Sequence, residues 1–458
     1  SLFSGAGLGY RNGLAGLWSS GGAWVGIALI YFITRRIRNF GKVTVPDIFD
    51  ARYGHTAAVL ATITTVIAYI TIVSYQFRGG GKVLSMVSDG IISLENGIII
   101  TAIFAISYTV LAGMFSVVYT DVVNGILMTI GTIGALIFLV FKIGGVGEII
   151  TVAETFGKWQ LFGNWAAERT GNISGPIIAI SFFVPTMLLL MGDANMYQRI
   201  FSAQDGGSAK KAVFFWIIGV IILESVICML GLVGSVAVVK GIMPDLVATE
   251  ISKLSDLTST SILEARQAGS ESVIPAIARY AGLPTILGLL LVSTMMAIIV
   301  STADSFLLIP ATNLTRDVYL RYINKNADEK SILLISRFLV LILGVIAFLL
   351  VSQFKTVLNA AFTAYNIYGT SITPALLAAF LWKRATSQGA IASIITGTTV
   401  TIIWTFFLPN WSGFLTLHPF LQELTYPAAG FSILALVSVS LLTPAPNPES
   451  LKQFFNDN

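Results

Sequence analysis

Long apolar runs separated by short polar connections dominate the pattern of this chain. Many runs reach the roughly 20 residues that an α-helix needs to cross the apolar core of a bilayer. The pattern predicts the end of one helix near 1–15, and then spans near 16–34, 56–86, 93–112, 116–141, 173–196, 211–240, 280–310, 332–351, 357–381, 388–408 and 422–442. We therefore predict an all-α polytopic membrane protein whose first helix begins upstream of Ser1.

The basic residues of the connections set the predicted orientation. One set of alternate connections, together with the tail at 443–458, is short and rich in Lys and Arg, as at Arg35 and Arg38. The opposite set includes two long loops, near 142–172 and 241–279, in which acidic residues balance the basic ones. Because Lys and Arg are enriched on the cytoplasmic side of membrane proteins, we expect a cell-membrane protein with a cytoplasmic C-terminus.

Composition agrees with this class and excludes several functions. Hydrophobic residues make up 55% of the chain and charged residues 11%, against about 25% charged in soluble domains. The net charge of +4, one Cys and two His do not indicate a nucleic-acid partner, a disulfide or a His-based metal or catalytic site. Lys82 in GGGKVLS is followed by Val83, where a phosphate-binding loop has Ser or Thr. We predict no enzyme, and uphill transport would need an ion gradient.

One apolar run contains an unusual polar cluster, IIVSTADSFL at 298–307. On a helix, Ser301, Thr302 and Ser305 share a face with Ile298, so three hydroxyl oxygens project to one side. Hard cations bind such oxygens, but one helix cannot close a coordination shell, and an unwound second helix would have to supply carbonyls. The alternative is that these hydroxyls bond back to their own helix or pack against a neighbouring helix.

Few ionisable residues lie within the predicted spans, and such residues are functional candidates by default. Asp304 lies within the hydroxyl cluster, and Asp121 has a similar depth, so the two carboxylates can approach each other. The alternative for Asp121 is that it caps or salt-bridges a cytoplasmic loop. Arg78 lies toward the outer end of its span and is a candidate for binding a carboxylate. The alternatives are that it extends to the outer interface or pairs with Glu224. Asp193 is near an inner helix end, where we expect a structural role.

Three stretches carry signatures: SYTVLAGMFSVVYTDVVNG (107–125), STMMAIIVSTADSFLLIPATNLTRDVY (293–319) and AYNIYGTSITPALLAAFLWKRATSQGAIAS (364–393). They resemble the sodium/solute symporter family of sodium-coupled glucose, proline, pantothenate, sialic acid and monocarboxylate carriers. The first resembles the signature of the fourth-to-fifth core helices, the second the eighth core helix and the third the tenth. The resemblance covers essentially the whole chain.

The resemblance implies a LeuT-like fold of two inverted five-helix repeats within a single transporter domain, 1–458. The first repeat would be 1–142 and the second 173–383, followed by two additional helices at 388–442 and the tail at 443–458. Family members usually carry one more helix before the core. The resemblance therefore implies that this helix and the first half of core helix 1 are missing.

A shared sodium site is also implied, built from carbonyls of the first core helix and oxygens of the eighth. Its ligands fall on Ser301, Thr302, Ile298 and Phe3, with one further carbonyl upstream of Ser1. Some members hold a second sodium, whose ligands fall on Asp121, Ser301, Asp304 and Ser305. Because Asp304 is a carboxylate where those members have a hydroxyl, a second sodium and a proton are alternatives at that site.

The substrate site is less well defined. Where sugar-carrying members have a glutamate and a glutamine, this chain has Ser20 and Tyr365, which argues against a close sugar-carrier relative. YQFRGGGKVL resembles the third-helix segment of carboxylate-carrying members. The candidates are Phe3, Ser20, Trp24, Gln76, Arg78, Thr186 and Tyr365, each with simple packing as the alternative.

We therefore expect a sodium-coupled secondary active symporter that imports a small organic solute by alternating access, with a mild preference for a carboxylate-bearing solute. The alternatives are a proton-coupled carrier of the same fold, in which Asp304 and Asp121 titrate, and a sugar or amino-acid substrate. The expected partners are the solute, Na⁺ and membrane lipid, with no obligate protein partner. A channel is disfavoured because the polar residues within the spans are sparse and clustered.

Overall fold

A computed structural model describes residues 2–41, 44–163, 165, 173–411 and 413–455, without the side chains of 112–121, 322, 410, 415 and 449–450. Twenty α-helices, α1 to α20, are Leu2–Asn12, Leu17–Asn39, Val45–Tyr53, His55–Val87, Leu94–Ile143, Val146–Thr155, Gly175–Gly192, Ala194–Ser202, Gly206–Val239, Leu246–Ile251, Ser259–Glu271, Val273–Tyr280, Thr285–Asn313, Glu329–Leu350, Val357–Ser371, Thr373–Leu381, Ser387–Ile402, Pro419–Gln422, Thr425–Leu442 and Pro448–Phe455. Within the described residues, ten stretches are long and apolar enough to cross a membrane.

Two ends of the helix bundle can be defined by polar contacts. We call the upper end the one at which Arg279, in the last turn of α12, pairs with Asp89 after α4. At the lower end, the Arg52 guanidinium in α3 donates to the carbonyl oxygen of Lys383, at 3.1 Å. The C-terminal α20 also lies at the lower end, where Phe454 packs on Phe40 with ring centroids 4.5 Å apart. The densely basic connections and the tail therefore share one end of the molecule.

The helical backbone of α5 contains two spans that run in opposite directions. Leu94 at its start lies against Gly81 near the upper end of α4. Lys142 at its end donates a hydrogen bond to the Ala281 carbonyl, at 2.7 Å, also at the upper end. Both ends of α5 therefore lie at the upper end, and the apolar stretches Leu94–Leu111 and Val122–Ile143 correspond to the two spans that the sequence predicts at 93–112 and 116–141.

The predicted span at 357–381 is two helices, α15 and α16, which meet at Ile372. Pro374 occupies the first turn of α16, where its missing N–H is tolerated, whereas inside a continuous helix it would remove a backbone hydrogen bond. The long loop predicted at 241–279 also differs from expectation. It folds into α10, α11 and part of α12, and Gln267, Ser270 and Glu271 at the end of α11 are buried.

Glycines allow α1 to pack closely against α9. A Cβ added at Gly231 in α9 would lie 2.0 Å from the Ala6 carbonyl oxygen of α1. A Cβ added at Gly9 would lie 2.1 Å from the Cys228 carbonyl oxygen of α9. Since real side chains do not approach backbone this closely, both crossings require glycine. This packing fixes the position of α1, which lines the central cavity.

Candidate functional site

A cavity of about 230 Å³ lies in the middle of the bundle. It is enclosed by α1, α4, α7, α13 and α15, with Met128 from the second span of α5. The lining residues are Leu2, Phe3, Ser4, Ile72, Tyr75, Gln76, Met128, Leu189, Leu190, Asp193, Ile298, Ile299, Thr302, Phe306, Val357 and Tyr365. Its volume is below the roughly 300–1,000 Å³ of pockets that hold drug-sized ligands, so it suits a small solute.

A second chamber of about 160 Å³ adjoins this central cavity. The two share Ser4, Leu190 and Tyr365 in their linings. The second chamber adds Ser20 and Thr186, with further lining from Ser19, Trp216 and Glu224. The Tyr365 hydroxyl lies 3.5 Å from that of Tyr75. The two chambers together give an apolar space with a few hydroxyl, amide and carboxyl groups.

A break after α7 positions part of the cavity wall. The Asp193 carboxylate accepts hydrogen bonds from the backbone N–H groups of Asn195 and Met196, both at 3.3 Å, and so caps α8. The Tyr69 hydroxyl donates to the same carboxylate, at 2.5 Å. The Tyr368 hydroxyl donates to the Gly192 carbonyl at 2.8 Å, satisfying a group that the helix end leaves without a partner. The structural role expected for Asp193 agrees with these contacts, although the residue also lines the cavity.

The structure brings together α1 and α13, the two helices expected to share a sodium ion. Phe3, Ile298 and Thr302 line the same cavity, while Ser301 lies beside them on α13, outside that lining. Within the described residues, the Thr302 hydroxyl makes no hydrogen bond to its own helix, whereas the Thr294 hydroxyl on the same helix donates to the Leu290 carbonyl. The side chain of Thr302 is therefore available to a ligand in the cavity.

The residues expected at a second ion site are placed only in part. Asp304 is fully buried in α13, and Ser305 is 9% exposed. Neither lines the central cavity or the second chamber. The side chain of Asp121 lies outside the described residues. The second sodium or proton site therefore stays a prediction.

The seven substrate candidates separate into three groups. Phe3, Gln76 and Tyr365 line the central cavity, and Ser20 and Thr186 line the second chamber. Trp24 and Arg78 line neither.

The structure places Arg78 away from both chambers. One Arg78 amino group donates to the Val351 carbonyl after α14, at 3.0 Å. Glu224, the alternative partner considered for Arg78, lines the second chamber instead. No Lys or Arg lines either chamber in the part of the chain that the structure describes. A substrate carboxylate in these chambers would therefore meet hydroxyl and amide groups and no basic side chain of the described residues.

Known proteins similar to this chain indicate its family. A model of the sodium:solute symporter family matches residues 1–397. The chain is 27% identical to the osmoregulated proline transporter OpuE of Bacillus subtilis, over 97% of this chain and 84% of that protein. It is 25% identical to the sodium/proline symporter of Escherichia coli, over 94% of this chain and 80% of that protein.

A solved structure of a Na⁺-coupled sialic acid symporter, in a substrate-bound outward-open state, superposes with a TM-score of 0.73. The alignment covers 97% of this chain and 87% of that one, at 17% identity. This likeness shows the fold and confirms the predicted all-α, LeuT-like architecture. The family match confirms the expected class, a multi-pass, sodium-coupled carrier of small solutes and not an enzyme. The chain belongs to the sodium:solute symporter family.

Proposed function

We propose that this protein imports proline, or another amino acid of similar size, together with Na⁺. The named relatives supply the substrate class, since OpuE is a proline transporter and the E. coli relative is a sodium/proline symporter. The single structural observation that supports it is the small central cavity, which joins the α1 and α13 oxygens to Gln76 and Tyr365. A cavity of about 230 Å³ suits a compact zwitterion.

The coupling follows from which helices line the cavity. A sodium ion held by the Thr302 and Ser301 hydroxyls and by the Ile298 and Phe3 carbonyls would tie α13 to α1. Both helices also line the space for the solute, so bound sodium organises the walls that the solute contacts. Each ligand then favours binding of the other, as linkage requires. When the cavity closes toward the upper end and opens toward the lower end, both ligands would be released on the lower side.

Several finer assignments belong to the same proposal. The repeats are 1–142 and 173–383, followed by the helices at 388–442 and the tail at 443–458. The upper end faces outside and the lower end the cytoplasm, because the short basic connections lie at the lower end. The protein resides in the cell membrane, surrounded by lipid and without an obligate protein partner. The C-terminal tail is then cytoplasmic.

The energy of one sodium ion is sufficient for accumulation. Moving one charge through 100 mV supplies about 2.3 kcal/mol. A tenfold sodium gradient adds about 1.4 kcal/mol. Together these support a solute ratio of roughly several hundredfold.

Uptake by proteoliposomes tests the proposal and separates it from the proton-coupled alternative. Purified protein is reconstituted and uptake of radiolabelled proline is measured under an inward sodium gradient at fixed pH, and under a pH step without sodium. We expect accumulation with the sodium gradient and none with the pH step alone. Accumulation with the pH step alone would favour proton coupling through Asp304 and Asp121. No proline uptake under either gradient would reject the substrate.

A further inference from the structure

The lining of the central cavity has one charged residue among those that the structure describes, and that residue is Asp193. The other polar residues of the lining are uncharged: Ser4, Tyr75, Gln76, Thr302 and Tyr365. The second chamber adds another acidic residue, Glu224, and no basic one from the described part of the chain. Because acidic groups in an apolar cleft concentrate positive charge, this space favours a solute that carries a cationic group.

The Asp193 side chain is held in the cavity wall by hydrogen-bond donors. It is 9% exposed, and it lines the cavity next to Leu189 and Leu190 of α7. The Tyr69 hydroxyl accepts a hydrogen bond from the Ala194 N–H, at 3.0 Å, so its own proton is directed to Asp193, at 2.5 Å. The carboxylate therefore acts as an acceptor in this contact, as it does toward the N–H groups at the start of α8.

The hydrogen bonds of Asp193 leave one acceptor position open. An ionised carboxylate offers about four positions, shared equally by its two oxygens. Asp193 Oδ1 accepts from the Tyr69 hydroxyl and the Asn195 N–H. Among the described residues, Oδ2 accepts from the Met196 N–H alone, at 3.3 Å. The open position is therefore on Oδ2, and a donor from a ligand in the cavity would complete the set.

We propose that Asp193 binds the protonated amine of the solute and so selects amine-bearing solutes over carboxylates that lack an amine. This assignment rests on the proposed function and names the group that the cavity recognises. A protonated amine combines N–H donors with a positive charge, and hydrogen bonds of this kind are stronger than those between neutral groups. The donors around Asp193 hold the carboxylate in place before the solute arrives, so binding requires little further ordering.

Sodium is the alternative partner for the Asp193 carboxylate. The oxygens assigned to sodium lie on α1 and α13, whereas Asp193 lies at the break between α7 and α8. A hard cation requires several oxygens at close range, but N–H and O–H donors already surround this carboxylate. The described part of the chain also contains no group of three or more His, Cys, Asp or Glu that could hold a metal ion. A single N–H donor fits the open position better.

Isothermal titration calorimetry with proline and tetrahydro-2-furoate tests the assignment without any substitution. Tetrahydro-2-furoate keeps the ring and the carboxylate of proline but has an ether oxygen in place of the protonated amine. In sodium buffer, we expect wild-type protein to bind proline roughly 10- to 100-fold more tightly, which corresponds to one hydrogen bond to a charged group. The ether oxygen cannot donate to Asp193, and a site built to bind a donor rejects an analogue without one.

Asp193→Asn should remove this preference by weakening the binding of proline and not that of tetrahydro-2-furoate. Asn caps a helix about as well as Asp, so the start of α8 should be retained. Asp205→Asn is the matched control. Asp205 caps α9 by accepting the N–H groups of Gly207 and Ser208, at 2.7 and 2.9 Å, and it lines neither chamber. This control should change neither affinity.

Each outcome of the titrations, repeated over a range of sodium concentrations, decides the assignment. A preference for proline in wild type and in Asp205→Asn that is lost in Asp193→Asn supports it. Equal binding of the two ligands by wild type, or a preference that survives in Asp193→Asn, would overturn it. An equal loss of affinity for both ligands in Asp193→Asn would overturn it in favour of a structural role. A raised sodium requirement for both ligands would overturn it in favour of an ion ligand.

Failure of this assignment can be distinguished from failure of the proposed function. An amine preference that depends on Asp193, without any requirement for sodium, would reject sodium coupling and leave the amine site in place. Sodium-dependent uptake of proline without an amine preference would reject the amine site and leave the proposed function in place.

Discussion

Lys82 of α4 and Glu271 at the end of α11 form an ion pair that is almost completely shielded from solvent, with side-chain exposures of 8% and 0%. The Glu271 carboxylate also accepts the backbone N–H groups of Val357, at 3.1 Å, and Leu358, at 2.8 Å. These groups begin α15, so the carboxylate caps a helix whose amino end is positive. One buried pair thus joins α4, α11 and α15 above the central cavity.

Glu271→Ala is expected to destabilise the protein by about 3–5 kcal/mol, because it leaves the Lys82 ammonium buried without its counter-charge. The double variant Lys82→Met, Glu271→Gln should recover much of this loss, since it removes the charge and keeps an acceptor for α15. Thermal unfolding of the detergent-purified proteins measures both effects. Arg279→Ala, which breaks the exposed pair with Asp89 at the same end, is the control and should have little effect. Equal losses in Arg279→Ala and Glu271→Ala would contradict this role.

The sequence predicts much of the architecture but does not predict that Lys82 and Glu271 form an ion pair. Apolar runs fix which segments are buried in the bilayer, so the spans and their alternating directions could be predicted from hydropathy. Lys82 and Glu271 are 189 residues apart, and no local pattern brings them together. The sequence predicts a loop at Glu271, because α11 has the polar composition of an exposed segment, although its last residues are buried.

The candidate site was predictable where side-chain chemistry was unusual for its surroundings. Thr302 stands out as a hydroxyl in an apolar span, and the structure places it in the central cavity. Arg78 stands out equally, yet its guanidinium binds the Val351 carbonyl. The polarity of a side chain shows that it needs a partner, whereas the packing of the helices decides whether that partner is a ligand or the backbone.

Thr302→Ala is expected to weaken sodium binding more than it lowers stability. Losing one ligand oxygen should raise the sodium concentration for half-maximal proline uptake by about tenfold, equivalent to about 1.4 kcal/mol. Thr294→Ala removes a hydroxyl from the same helix that bonds to the Leu290 carbonyl, so it is a matched control and should leave sodium dependence unchanged. Sodium activation of uptake in reconstituted vesicles gives the comparison. An unchanged sodium requirement in Thr302→Ala would remove this residue from the ion site.

Gly231→Ala tests whether the close packing of α1 on α9 is required for the site. The added methyl would overlap the Ala6 carbonyl, and overpacking of this kind costs about 1–3 kcal/mol. Since α1 also contributes Phe3 and Ser4 to the cavity, displacement of α1 should weaken sodium and solute binding together.

Gly219→Ala on the same helix is the control, since nothing lies within 4 Å of its added Cβ. It should be neutral or stabilise α9 by up to about 1 kcal/mol. Unfolding temperature and sodium activation, measured for both variants, separate general destabilisation from displacement of α1. Equal behaviour of the two variants would mean that α1 tolerates an added methyl group at this crossing.

Lys158, in the connection after α6, should make stability depend on pH. Its ammonium donates to the Tyr10 carbonyl at 2.6 Å, and burial, with a smaller effect from the Arg11 charge, lowers the pKa of Lys158 to about 8. Because the folded pKa is below the unfolded one, the unfolded state binds more protons between about pH 8 and 10.5. Stability from this residue therefore rises with pH through that window, by up to about 3 kcal/mol.

Lys158→Met removes the titrating group, so its stability relative to wild type should fall as pH increases from 8 to 10.5. Lys253→Met changes an exposed lysine in the next long connection and controls for the loss of one charge. Thermal unfolding of the three proteins across pH 7 to 10.5 gives the two difference curves. A flat difference between Lys158→Met and wild type would show that the ammonium of Lys158 is as well solvated in the folded protein as in the unfolded chain. The contact with the Tyr10 carbonyl would then not bury the charge, and the end of α1 would lie closer to water than its packing indicates.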